Sequence, residues 1–260
     1  MVKIGIISGS GFDDPKIMES PQHKKVHTPY GAPSEKPVEG LVKGVPCVVI
    51  PRHGESHRLN PTNVNYRANI WAMRELGVTH IIAPTACGSL REEIRPGHLV
   101  FIDSFIDRTT KRPMTFYEGQ QVMHIPMAEP FCTALRKTLI QAAESFDIAH
   151  HKRGTMVTIE GPRFSTRAES HMFRLWGADT INMTTVPEAP LAREAGLHYA
   201  AIAMSTDYDC WKEGEEVSID TILRTMKLNA ENTKHVILEA IQKIADLDDS
   251  CTKDWKVSSL

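Results

Sequence analysis

The chain lacks any long apolar run: no hydrophobic stretch approaches the roughly 20 residues that a membrane-spanning helix needs. Met1-Val2-Lys3 leads straight into a strand-like segment, with none of the marks of a signal peptide. Neither sign of charge is in excess, because 30 Lys and Arg against 32 Asp and Glu leave a formal net charge of −2. That balance gives no electrostatic footprint for nucleic acid or an anionic membrane. Cysteine is sparse and unpatterned: Cys47, Cys87, Cys132, Cys210 and Cys251 are odd in number and include no CxxC. A disulfide framework is thereby excluded and a reducing compartment implied, cytoplasm or nucleus. GxSxG, HExxH and GxxxxGK[ST] are also missing, so serine hydrolase, zincin and P-loop chemistry lack their usual marks. None of the twelve histidines is spaced as a metal site, and His150-His151 reads as a solvated helix end.

What is present is an ordinary globular composition, 41% hydrophobic and 24% charged over 260 residues. Lys3–Ser8 reads as a first strand, followed at once by Gly9-Ser10-Gly11. Such a turn exposes backbone N–H groups to an anion, but Asp14 stands where a dinucleotide fingerprint needs its third glycine. Cys47–Pro51 is a second strand and delivers Arg52-His53-Gly54 at its end, a fork of donors suited to phosphate. A helix over Asn63 to Leu76 precedes a strand at Thr79–Pro84, which ends in Thr85-Ala86-Cys87-Gly88-Ser89. A further strand at His98–Ile102 leads to a polar, irregular segment from Thr110 to His124. Helix and strand then alternate: Glu129 to Phe146 helical, Thr155–Ile159 a strand, a helix from Thr166, a strand at Asp179–Met183, and a helix through Glu194. Because this alternation resumes after the polar segment, residues 1–246 read as one α/β domain, with 247–260 a polar tail.

The stretch from Leu197 to Trp211 carries the chemistry most plainly. It opens as a buried-strand run and stops in Ser205-Thr206-Asp207-Tyr208-Asp209. If the backbone stays extended, period-2 alternation puts Asp207 and Asp209 on one side, where each raises the other's proton affinity. The alternative is a solvated turn in which Asp caps a helix beginning near Trp211. A long helix from Val217 to Ala245 follows, with Ile219, Ile222, Leu223 and Met226 on its apolar face. In an α/β sheet the strand ends gather at one rim, so hydroxyls and a cation would face two carboxylates across it.

These residues resemble a known family. The runs Gly5–Gly11, Arg52-His53-Gly54, Thr85–Leu90, Glu160-Gly161-Pro162-Arg163-Phe164, Asn182-Met183-Thr184 and Thr206–Asp209 are similar to those of the trimeric purine nucleoside phosphorylases, over Lys3 to Ala245. Within that family the pattern is nearest the members that act on 5′-methylthioadenosine. The resemblance implies a single-domain α/β fold, with a twisted mixed sheet partly closed into a barrel, flanked by α-helices and assembled as a homotrimer. It implies cleavage of a purine nucleoside by inorganic phosphate, a co-substrate, with no metal or organic cofactor.

Carried over by position, the resemblance implies phosphate contacts from Ser10, Arg52, His53, Thr85, Ala86 and Thr184. Phe164 and Ser165 would line the base, Met183 would lie beneath the ribose, and Asp207 and Asp209 would act on the base edge as the catalytic pair. His57, Ile219, Ile222 and Leu223 would surround the 5′ substituent, with His124 entering from a neighbouring subunit. The chain departs from the family at Ser8, where a second glycine is usual. A 6-oxopurine nucleoside phosphorylase and a catalytically silent nucleoside binder remain as alternatives. An acid at neutral pH is the chemical requirement, since a free Asp has a pKa of about 3.9 and must be shifted by burial or a carboxylate neighbour.

Overall fold

The strands that alternate with helices along the chain assemble into one mixed sheet whose two faces bury separate cores. A computed structural model describes residues 2–9, 18–119, 121–214, 219–247 and 258–259. The first half contains β1 (Ile4–Ser8), β2 (Glu19–His23), β3 (Val38–Val42), β4 (Val45–Pro51), α1 (Tyr66–Glu75), β5 (His80–Ser89), β6 (Leu99–Phe101), β7 (Ser104–Arg108) and β8 (Met123–His124). The second contains α2 (Thr133–Ser145), β9 (His150–His151), β10 (Thr155–Ile159), α3 (Arg167–Leu175), β11 (Thr180–Asn182), α4 (Thr185–Glu194), β12 (His198–Asp207), α5 (Ile219–Ala245) and β13 (Ser258–Ser259). Among the described residues, eleven strands form the main sheet, while β8 and β13 pair antiparallel beside it.

The sheet forks at β5. Its first half pairs parallel with β1, nearly its whole length pairs parallel with β12, and its last residues pair antiparallel with β11. One arm continues through β11, β10 and β7, the other through β12, β6 and β9. The arms end on β7 and β9, and the Asp103 N–H, between β6 and β7, donates to the Gly154 carbonyl, between β9 and β10, at 3.2 Å. Among the described residues no strand ladder joins the two arms there.

Alternation along β12 divides the packing. Tyr199, Ala201 and Ala203 join a core with Ile70 and Met73 of α1 and Leu191 of α4. Ala200, Ile202 and Met204 point the other way, onto Leu135 and Leu139 of α2 and Ile237 and Ile241 of α5. A third cluster packs Phe173 of α3 against Val157, Tyr208 and Trp211. β12 therefore has no solvent face, which is why it reads as a continuous apolar run.

Several elements differ from the sequence expectation. Thr85–Ser89 was expected as a turn, and the last strand was expected to stop at Met204; instead both strands continue, Ala203 opposite Thr85 and Ser205 opposite Cys87. Small residues that look like a turn in isolation stay extended because each finds a ladder partner in the other. The expected helix from Glu129 begins only at Thr133, where Cys132 Sγ accepts the Leu135 N–H. Trp211 lies in a turn, and among the described residues no helix begins at it. His150-His151 forms a short strand against β6 rather than a helix end. β2, whose residues are all exposed, carries no apolar signature and exists through its pairing with β3. Val217 and most of the 247–260 tail lie outside the described residues. No helix among the described residues is long and apolar enough to cross a membrane.

Ile202 is fully buried at the centre of β12. Ile202→Ala should lower the unfolding free energy by about 2–5 kcal/mol, read from urea denaturation, through lost burial and the cavity left behind.

Candidate active site

At the carboxyl ends of the strands a cavity of about 530 Å³ opens. Arg52 leaves the end of β4 and is buried to 1% exposure. Its Nε and Nη2 donate to the two carboxylate oxygens of Glu188, at 2.7 and 2.8 Å, while Nη1 and Nη2 also reach the Pro84 and Ile7 carbonyls. The fork that was expected to face an anion is thus turned onto a buried carboxylate of α4, which also accepts from the Tyr199 hydroxyl at 2.7 Å. Nη1 lies beside Gly9, where a Cβ would come within 2.7 Å of it, and both residues line the cavity.

His53 places Nδ1 2.8 Å from the Leu59 carbonyl. A carbonyl can only accept, so Nδ1 carries the hydrogen and Nε2 is the accepting nitrogen of the neutral ring. Burial, reinforced by the Arg52 cation, pushes the His53 pKa down to about 4. His57 stacks on this ring with centroids 4.1 Å apart, from a turn in which Ser56 and His57 both have positive φ.

The hydroxyls of Thr85 on β5 and Thr184 at the start of α4 are 3.2 Å apart. Asn182 holds them in place: its Nδ2 donates to Thr85 Oγ1 at 3.0 Å and Thr185 Oγ1 at 2.7 Å, and its Oδ1 accepts from Thr158. Thr184 makes no side-chain cap bond to its own helix, and Thr85, Ala86 and Thr184 all line the cavity. This end can hold a protonated anion through hydroxyls, a neutral imidazole and the one Nη1 hydrogen that these bonds leave on Arg52.

The opposite end belongs to β12. Its register shifts between Ser205 and Asp207, an irregularity of the bulge type that re-aims side chains next to a site. Asp207 accepts from the Asp209 N–H at 2.7 Å and from the Thr206 hydroxyl at 2.6 Å. Asp209, at φ 51°, accepts from the Ser165 hydroxyl through both oxygens, at 2.8 and 2.7 Å. Both carboxylates line the cavity, and a Cβ on Gly88 would sit 3.2 Å from each residue, a tight fit that the glycine relieves. The Asp207 pKa is raised, chiefly by burial; the Asp209 charge adds to it, while hydrogen bonds from Thr206 and Asp209 oppose it. The carboxylate neighbour is thus the smaller cause, not the principal one.

Of the other sequence candidates, His57, Phe164, Ser165, Met183 and Ile222 line the cavity. Leu223 is 57% exposed and does not, and His124 is exposed on β8, away from the cavity of its own chain. Ser10 and the Ile219 side chain lie outside the described residues. Glu188, Asn182 and Met226 went unassigned; only the rarity of a buried glutamate or asparagine marks the first two, and burial is not visible in a sequence. A wider cleft of about 1080 Å³ lies at the strand starts, around Ser104, Thr155 and Asp179, and holds none of these residues.

The fold and the site fall into a known class: the chain belongs to the phosphorylase superfamily, whose family model matches residues 3–242. It is 60% identical over 253 residues to the S-methyl-5′-thioadenosine phosphorylase of Danio rerio, covering 95% of this chain and 90% of that one. To the protein of the same name from Xenopus tropicalis it is 59% identical over 254 residues, with the same coverage. The solved structure of methylthioadenosine phosphorylase from Schistosoma mansoni with adenine matches at a TM-score of 0.93 and 46% identity, over 97% of this chain and 95% of that one. A mutant of the adenosine/methylthioadenosine phosphorylase of that organism, in complex with methylthioadenosine, matches at 0.92 and 45%, over 97% and 94%.

Glu188 is the sole carboxylate bonded to Arg52 among the described residues. Glu188→Gln should therefore cost about 3–5 kcal/mol of stability, because it leaves a buried cation uncompensated. Replacing both partners by Met should cost less than the single change, a comparison that urea denaturation of the two variants makes directly.

Proposed function

We propose that this chain cleaves 5′-methylthioadenosine with inorganic phosphate, giving adenine and 5-methylthioribose 1-phosphate. The observation that carries the reading is that an anion-holding end and a two-carboxylate end face one cavity of nucleoside size. The similarity to methylthioadenosine phosphorylases along nearly the whole chain supports it.

In this mechanism phosphate lies among the Thr85 and Thr184 hydroxyls, the Ala86 backbone, Nη1 of Arg52 and Ser10. His53 accepts through Nε2 from the proton that the phosphate dianion carries. A phosphate oxygen attacks C1′ of the sugar, above Met183, as the C1′–N9 bond breaks and its electron pair passes to the purine. Positive charge on the sugar is stabilised by the adjacent phosphate, and negative charge on the base by a proton from Asp207 to N7. Asp207 is suited to this because burial keeps its proton to higher pH. Asp209, held as an acceptor by the Ser165 hydroxyl, takes a hydrogen bond from the 6-amino group. His57 and Ile222 border the 5′ substituent with Ile219 and Leu223, and His124 reaches the site of a neighbouring copy in a homotrimer. Neither a metal nor an organic cofactor takes part, and the enzyme works in the cytoplasm.

Adenine release from methylthioadenosine should require phosphate or arsenate, survive a chelator, and come from a species of three chains by light scattering. Release that is unchanged in phosphate-free buffer, or active monomers, would contradict this. Binding without release under every condition would mark a silent nucleoside binder.

The carboxylates can be separated by single changes. Asp207→Asn should lower kcat about 10²–10⁴-fold. It should also remove the alkaline limb of the pH–rate profile, since a pKa raised in the folded protein means the acid form is lost as pH rises through it. Asp209→Asn should instead shift preference toward 6-oxopurine nucleosides, because an amide can donate to O6. Wild-type rates in both variants would end the assignment.

A further inference from the structure

Arg112 lies in the irregular link between β7 and β8, yet only 1% of its side chain is exposed. Its Nη1 donates to the Met183 and Val186 carbonyls, each at 2.7 Å, and reaches the Tyr66 hydroxyl at 3.2 Å. Nη2 donates to the Glu160 carbonyl at 2.7 Å, and Nε to Glu160 Oε1 at 3.2 Å. One guanidinium therefore joins the turn after β10, the turn between β11 and α4, and the start of α1.

Each of those partners needs a donor from outside its own element. Inside α4, Val186 departs from helical geometry, with φ −109° and ψ 131°, so carbonyls at that end are not presented to a regular helical ladder. Glu160 accepts from the N–H groups of Thr110 and Lys111 and from the Thr62 hydroxyl. Burial opposes its charge, but these donors and Arg112 together hold its pKa down to about 2. Tyr66, beneath Nη1, donates to the carbonyl of Pro61, which lines the cavity with Asn60.

The contact that these bonds control is between Gly161 and Met183. Gly161 has φ +64°, and a Cβ there would meet Met183 Sδ at 2.5 Å. The thioether thus lies directly on the glycine backbone, and the carbonyls of Glu160 and Met183 are both bound to Arg112. We infer that Arg112 is a positioning residue, which sets Met183 and the adjoining Thr184 against sugar and phosphate while touching neither. The inference rests on the phosphorolytic reading above. Asp207 is carried by β12, and Ser165, which donates to Asp209, adjoins the capping box at Thr166 that opens α3, so the base end has anchors besides Arg112. Lysine cannot substitute, because an ammonium donates from one point and cannot span the three carbonyls.

The test compares wild type with Arg112→Lys in three measurements: kcat, KM for phosphate, and adenine affinity by calorimetry. Misplacement of the floor should lower kcat by about 10²-fold and raise KM for phosphate, with adenine affinity within about threefold of wild type. An unchanged kcat, or loss of adenine binding in parallel with kcat, overturns the inference. Should Arg112→Lys not fold, Tyr66→Phe removes one of the five partners, and the same split at smaller size is expected; no split there also overturns it. A wild-type protein that releases no base overturns the functional reading itself, whereas a wild-type rate in the variant overturns only the role of Arg112.

Discussion

The parallel pairing of β5 with β12 is the constraint on which the site depends. From His80 opposite His198 to Cys87 opposite Ser205 the two strands stay in register, well past the point where their apolar runs end. That extension carries Cys87 and Gly88, just past Thr85 and Ala86 on one strand, to the level of Ser205 and Asp207 on the other. It also brings Gly88 close against Asp207 and Asp209, where a Cβ would be a tight fit. Two packed faces stand behind the pairing, so a change of one residue in register would exchange the cores beneath α1 and α4 with those beneath α2 and α5.

Charge is arranged around this frame with economy. Arg52, a buried cation, is neutralised by Glu188 of its own chain, and His53 is kept neutral by burial beside it. That end of the cavity is therefore lined by hydroxyls, backbone and a guanidinium already paired, and not by bare positive charge. At the other end burial raises the Asp207 pKa, while the Ser165 hydroxyl donates to Asp209. Two chemically identical side chains, two residues apart, thus sit in different surroundings. Environment makes that distinction, as the pKa logic of paired carboxylates requires.

Arg52 and Arg112 show how little residue type says about use. Arg52 sits after a strand in a motif that suggests an anion fork, and its fork holds Glu188. Arg112 sits in a polar link with no motif at all, and its guanidinium ties three walls of the cavity together. Glu160, which was quoted only as part of a run, is the hub that receives Thr62, Thr110, Lys111 and Arg112.

The sequence alone determined the order and type of the principal elements, because hydrophobic period and glycine or proline punctuation are local properties. Thr155–Ile159 was legible to the residue, and Thr166 marked the start of α3, where it forms a capping box with Glu169. The cluster at the strand ends was legible as well, since open α/β sheets place their ligands there. Tertiary structure decided the rest. The strand extensions of β5 and β12 and the edge strand β2 depend on partners distant in the chain, which no local pattern encodes. Which arginine is paired, which carboxylate has its pKa raised and which glutamate is buried follow from desolvation and from hydrogen bonds across up to 136 residues of sequence separation. Those quantities exist only after the chain has closed around them.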